Sequence, residues 1–177
     1  ERNTQHRGKE DRQRETDHNF GTNPCSEIVL RDCEFCNLTE MVVRADDTRE
    51  SLMRKARLAT ILGTWQSTLT DFRYLSSSWK KNCEDERLLG VSMTGIMDSD
   101  LTNGNTDGLE EMLADLRADV VKTNREYAKN LGIEQSVSTT CVKPSGTVSQ
   151  LVDAASGIHA RHNPHYIRTV RADNKDP

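Results

Sequence analysis

Leu88-Leu89-Gly90-Val91-Ser92-Met93-Thr94-Gly95-Ile96 is the stretch on which the fold reading turns. Its apolar side chains do not alternate strictly with polar ones, which is the pattern of a strand covered on both faces, and it ends in small residues. A Gly/Asn/Asp cluster occupies residues 98–108. Leu109, Met112, Leu113, Leu116, Val120, Tyr127 and Leu131 then recur at helical spacing, and Gly132 supplies a stop. Residues 137–142 read as a further strand, running directly into Lys143-Pro144-Ser145-Gly146-Thr147.

Toward the N-terminus, Asp47 with Glu50 three residues on resembles a capping box. It opens a predicted helix whose stripe Leu52, Ala59, Leu62, Trp65, Leu69 and Phe72 is expected to be buried, with Trp65 in the core. Residues 28–30 and 39–44 are short β-branched or aliphatic runs that predict strands, and residues 166–172 predict a last one. Strands alternating with long helices give an α/β class with a parallel sheet. Ligands in such sheets sit beyond the carboxyl ends of strands, which is where the 143–147 loop falls.

The chain has 177 residues, of which 34% are apolar, with 24 basic and 28 acidic side chains for a net charge of −4. The length suits one domain, but the apolar share is low for a self-sufficient core, so the chain reads as a piece of something larger that is poorly stable alone. Residues 1–19 are rich in both charges and lack large aliphatics, and read as a solvated tether. No apolar run approaches membrane-spanning length, the balanced charge gives no nucleic-acid footprint, and the charged start gives no export signal. A cytoplasmic location is expected, and with it free thiols rather than a disulfide framework.

Five cysteines therefore invite a chemical reading. In Gly21-Thr22-Asn23-Pro24-Cys25-Ser26-Glu27, an extended backbone would project Asn23, Cys25 and Glu27 to one side and bring an amide, a thiol and a carboxylate onto one small ligand. Cys33 and Cys36 have CxxC spacing, the geometry of a redox pair or half a zinc site, but there is no second pair. Cys33 reads as an inert thiol, Cys83 as an incidental surface thiol and Cys141 as core. In the 143–147 loop, Pro144 stiffens the strand exit, Gly146 lets a ligand approach the backbone, and Ser145 and Thr147 offer hydroxyls. A helix opening there would present free N–H groups to an anion. His159, His162 and His165 are interrupted by Pro164, so no metal site is expected from them.

Taken together, Asn23-Pro24-Cys25-Ser26-Glu27, Cys36-Asn37-Leu38 and Lys143-Pro144-Ser145-Gly146-Thr147-Val148-Ser149 resemble the catalytic subunit of ribonucleotide reductases. Gly157-Ile158-His159 and Tyr166-Ile167-Arg168-Thr169-Val170-Arg171 look most like the adenosylcobalamin-dependent class II enzymes that reduce ribonucleoside triphosphates for DNA synthesis. The resemblance implies a ten-stranded α/β barrel with a finger loop inside it. Residues 20–177 would hold the finger loop and part of the second half.

The resemblance also implies roles. Cys25 would become the thiyl radical that takes the ribose 3′ hydrogen, Glu27 the general base for the 3′ hydroxyl, and Asn23 a hydrogen-bonding partner of the ribose hydroxyls. Cys36 would be one member of the reducing thiol pair, its partner lying on an earlier strand outside this chain. Thr22, Pro144, Ser145, Gly146, Thr147 and Val148 would hold the substrate. Adenosylcobalamin, deoxynucleotide effectors and a thioredoxin-type reductant are the implied cofactor and partners. Two alternatives stay open: an iron-dependent class I subunit acting on diphosphates, and a thiol or zinc module built on Cys33 and Cys36.

Overall fold

The computed structural model describes residues 12–15, 17–167 and 169–175. In chain order the elements are β1 (Phe20–Thr22), β2 (Val29–Arg31), β3 (Asn37–Val42), α1 (Arg49–Gln66), α2 (Ser77–Glu86), β4 (Leu89–Thr94), a 3-10 turn (Ile96–Asp98), α3 (Leu109–Leu131) and the short α4 (Thr147–Leu151). The class is α/β, as the alternation predicts. β3 and β4 pair in parallel from Asn37↔Leu89 to Val42↔Thr94, with α1 and α2 in the crossover between them. β1 and β2 form a separate antiparallel hairpin, Phe20↔Arg31 to Thr22↔Val29.

β4 is the inner lane, and all its residues except Met93 are buried. On its far side runs the 137–142 segment, which is extended but not a full strand. Leu89 N–H and Val91 N–H donate to the consecutive carbonyls of Ser138 and Thr139, at 2.8 and 2.9 Å. A regular parallel ladder uses every second carbonyl, so β4 carries one extra residue there, and only the Val91↔Thr140 bridge is formed in register. The strand predicted at 166–172 is not formed by the described residues of that stretch; Arg168 lies outside them.

The helices correct two details of the sequence reading. Thr48, not Asp47, caps α1. Its Oγ1 accepts from Ser51 N–H at 3.2 Å, and Ser51 Oγ accepts from Thr48 N–H at 3.0 Å, a capping box closed by Ser51 rather than Glu50. The Asp47 carboxylate instead takes Arg44 N–H and Lys55 Nζ, at 2.7 and 2.6 Å.

The buried face of α1 is Leu52, Ala56, Ala59, Thr60, Gly63 and Thr64, whereas Leu62 and Leu69 are more than half exposed and Trp65 is 51% exposed. The reason lies at Gly63: a Cβ there would sit 3.2 Å from Leu89 Cδ2. Around Gly63 the helix lies so close to β4 that its inner face takes small residues, and Leu62 and Trp65 turn outward.

α3 has the predicted bounds. Gly132 closes it at φ 67°, donating to Ala128 and Lys129 carbonyls. Met112, Leu116 and Val120 are buried, while Leu113 and Leu131 are not. The principal core joins them to Met41, Val43, Leu52, Ala56, Ala59 and Val91. A smaller one, Ile28, Leu88 and Val137, lies under the hairpin. Among the described residues no helix is long and apolar enough to cross a membrane.

Ion pairs fix the base of the hairpin. Arg14, within the stretch read as a tether, is buried and donates Nε to Glu86 at 2.8 Å; its Nη2 lies on Glu86 and, at 3.5 Å, on Glu34. Arg31 Nη2 reaches Glu86 at 3.1 Å. Burial pushes the Glu34 carboxyl well above the ordinary carboxylate range, and the nearby Glu86 adds to that push.

Candidate active site

Residues 23–28 turn the hairpin. Ser26 N–H donates to Asn23 O at 2.9 Å, Asn23 N–H to Ile28 O at 3.2 Å, and Ile28 N–H to Asn23 Oδ1 at 3.0 Å. Ser26 sits at φ 62°. The segment is therefore a tight turn and not the extended strand whose alternation would align Asn23, Cys25 and Glu27. The turn leaves Cys25 exposed at the tip and brings the Asn23 and Glu27 side chains together. Thr22 ends β1 and is exposed.

Glu27 points inward, with only 3% of its side chain exposed. Its Oε1 accepts from Lys143 Nζ at 2.7 Å, while Oε2 is buried with no hydrogen-bond partner. Burial opposes ionisation of Glu27, but Lys143 and Asn23 outweigh it and hold the carboxyl below its ordinary value. Lys143 is held charged in turn, first by its hydrogen bond to Glu27. Lys143 is the residue that sequence reasoning missed; it stands at the head of the quoted Lys-Pro-Ser-Gly-Thr motif.

Cys36, just before β3, and Cys141, on the neighbouring lane, converge over Gly90. The Cβ that Gly90 lacks would lie 3.2 Å from Cys36 Sγ and 3.0 Å from Cys141 Sγ. Only glycine on the middle strand leaves room for both sulfurs. Burial pushes the Cys36 thiol far above its ordinary value, with Cys141 adding to it; burial likewise pushes Cys141 up to about 11. Cys36 is accordingly a protonated thiol at neutral pH. Cys33 has φ 54° and is a free, half-buried thiol. Cys83 is not a surface thiol: it is 5% exposed, on the inner side of α2.

Beyond Lys143, Pro144, Gly146, Thr147 and Val148 are exposed, and Ser145 is buried with its Oγ on Glu40 Oε2 at 3.1 Å. Burial raises the Glu40 carboxyl, against the opposing pull of Ser145 and Lys143. Ser149 Oγ donates to Gly146 O at 2.8 Å. The loop packs on Gly157, whose φ is 55° and where a Cβ would lie 3.0 Å from Lys143 O. Among the described residues no group of His, Cys, Asp or Glu is arranged to hold a metal ion.

No protein-family profile matches the chain. It is 31% identical, over 89% of its length, to the adenosylcobalamin-dependent ribonucleoside-triphosphate reductases of Lactobacillus delbrueckii subsp. bulgaricus and Lactobacillus leichmannii, and 29% identical to that of Lactobacillus acidophilus. The chain spans about a quarter of these relatives, 24% of their length. A crystal structure of a B12-dependent, class II ribonucleotide reductase superposes with a TM-score of 0.65 and 30% identity, over 78% of this chain and 22% of that one. In sequence and in fold, this chain is a relative of the adenosylcobalamin-dependent, class II ribonucleotide reductases.

Proposed function

We propose that the chain is the finger-loop and partial-barrel segment of a class II ribonucleotide reductase, which converts ribonucleoside triphosphates to 2′-deoxyribonucleoside triphosphates in the cytoplasm. The observation that carries this reading is the contact of Glu27 with Lys143 at 2.7 Å. It joins the tip bearing Cys25 to the 143–147 loop, in a chain that follows class II reductases over 89% of its length.

In this reading the Cys25 sulfur, as a thiyl radical, takes the hydrogen from C3′ and forms an S–H bond, leaving a carbon radical on the ribose. Glu27 takes the 3′-hydroxyl proton on its unpartnered Oε2, and Asn23 orients the hydroxyls. The 2′ hydroxyl leaves as water with a proton from a thiol. Cys36, held protonated by its burial, and a partner cysteine outside this chain supply two electrons in all and end as a disulfide: a hydrogen from the pair forms the C2′–H bond, and the 3′ oxygen recovers the proton held by Glu27. Cys25 then returns its hydrogen to C3′. Thr22, Pro144, Ser145, Gly146, Thr147 and Val148 position the substrate and its phosphates.

Adenosylcobalamin fits this segment at one point, the exposed Cys25 thiol at the tip, which an external radical source reaches directly. The cofactor supplies the radical when bound. Deoxynucleotide effectors and a thioredoxin-type reductant complete the proposed cycle.

The test is Cys25→Ser in a complete reductase chain carrying these residues. With adenosylcobalamin and a dithiol, the parent forms deoxynucleotide and the variant forms none above background. Substantial turnover by Cys25→Ser overturns the radical assignment, and turnover by the parent without adenosylcobalamin overturns class II.

A further inference from the structure

Lys143 takes no part in the proposed chemical steps, yet its contact with Glu27 makes the most direct link between the two halves of the candidate site. Its Nζ sits 2.7 Å from Glu27 Oε1, across 116 residues of sequence. Its backbone N–H donates to Ser92 Oγ on β4 at 3.0 Å, so the residue is anchored to the sheet on one side and grips the hairpin tip on the other. Resting on the proposed function, we propose that Lys143 is a positioning residue for the base: it holds the Glu27 carboxylate by one oxygen, leaves Oε2 free for the substrate hydroxyl, and fixes the hairpin tip against the substrate loop.

The geometry leaves little else to do this work. Glu27 is almost fully buried, and a carboxylate there needs a cation or several donors to stay ionised. The titratable groups around Glu27 are Cys25 on its own turn, Cys36 before β3, and Cys141 and Lys143 on the far lane; Glu40 of β3 lies near Lys143. Of these, Lys143 is the one cation. The thiols bring no positive charge, and Glu40 would oppose ionisation. Without Lys143, burial is left to act on Glu27 with the Asn23 amide as its main side-chain counterweight.

The sign follows directly. Lys143 favours the charged form of Glu27, so its removal raises the carboxyl and leaves the base protonated at the acid end of the working range. An opposite charge at this distance moves a carboxyl by about 1–3 pH units.

The experiment uses the complete reductase with adenosylcobalamin and a dithiol, comparing the parent, Lys143→Met and Lys143→Arg for kcat between pH 5 and 8. The parent shows no Glu27 limb in this window. Lys143→Met loses rate as the pH falls toward 5, with its limb at least about one pH unit above the parent's. Lys143→Arg, which keeps the charge, restores the parent profile.

A Lys143→Met rate lowered equally at every pH, or unchanged, overturns the proposal, because a merely structural role moves the rate without moving the limb. If Lys143→Met does not accumulate as folded protein, Lys143→Gln is read by the same criteria. A parent that forms no deoxynucleotide overturns the proposed function instead, so the two failures are distinct.

Discussion

The β3–α1–β4–α3 unit and the β1–β2 hairpin are held by different forces. The first is apolar and redundant: Met41, Val43, Leu52, Val91, Met112, Leu116 and Val120 share one core, so each contact has neighbours that support it. The second has a three-residue ladder, and of its residues only Ile28 is a buried member of an apolar cluster, with the half-buried Leu30 packed against it. It is fixed by charge instead, through Arg14 and Arg31 on Glu86 at its base, and Lys143 on Glu27 at its tip. The unit supplies stability, and the hairpin carries the proposed chemistry. Polar tethers set the distance and the protonation of groups in a way that a packed core does not.

The largest effect expected from breaking this contrast is on the unit. Leu52 is fully buried, and Leu52→Ala should cost about 2–5 kcal/mol in urea unfolding, because the helix held close to β4 cannot collapse into the cavity. A cost well under 1 kcal/mol would mean that the core is not what holds the unit together.

Gly90→Ala tests the boundary between the regions. Its methyl would sit 2.5 Å from Leu38 Cδ2 and press on the sulfurs of Cys36 and Cys141, so we expect a loss of about 1–3 kcal/mol and a changed alkylation rate at Cys36. An unchanged rate at Cys36 would show that the sulfurs are not seated against this glycine.

The smallest effect is in the hairpin base. Glu34 is raised by burial above its ordinary value near 4.5, so its contribution is complete below that value and is lost as the pH rises through the raised one. Stability of the parent should therefore decline over that interval relative to Glu34→Gln, which cannot ionise. Parallel profiles for the two proteins would remove Glu34 from the account.

The regions also differ in how much of each was legible in the sequence. α3 was readable to the residue, because a 23-residue amphipathic run ending at Gly132 has one good helical solution. β4 was readable because an inner parallel strand, covered on both faces, lacks strict polar alternation. α2 went unseen: Ser77–Glu86 is polar, and its two buried residues, Cys83 and Glu86, make no apolar period. The α1 stripe holds at Leu52 and Ala59 but fails from Leu62 on, because close approach at Gly63 favours small residues where the pattern counts large ones.

At the candidate site, the motifs singled out Asn23, Cys25, Glu27 and Cys36, but a tight turn, not period-two alternation, is what brings the Asn23 and Glu27 side chains together. A positive φ at Ser26 makes the turn, and no pattern of side chains announces it. Lys143 and Gly90 were out of reach because their meaning lies in partners on other lanes of the structure.

Ser92 gives the arrangement one last consequence. Its hydroxyl grips the backbone of Lys143, whose side chain grips Glu27, so β4 acts as a fulcrum under a short lever. In the proposed function, a phosphate drawing on the 143–147 loop at one end would be felt as torque at Glu27 on the other. Loading of the distal part of a nucleotide and alignment at its ribose would then be a single mechanical event.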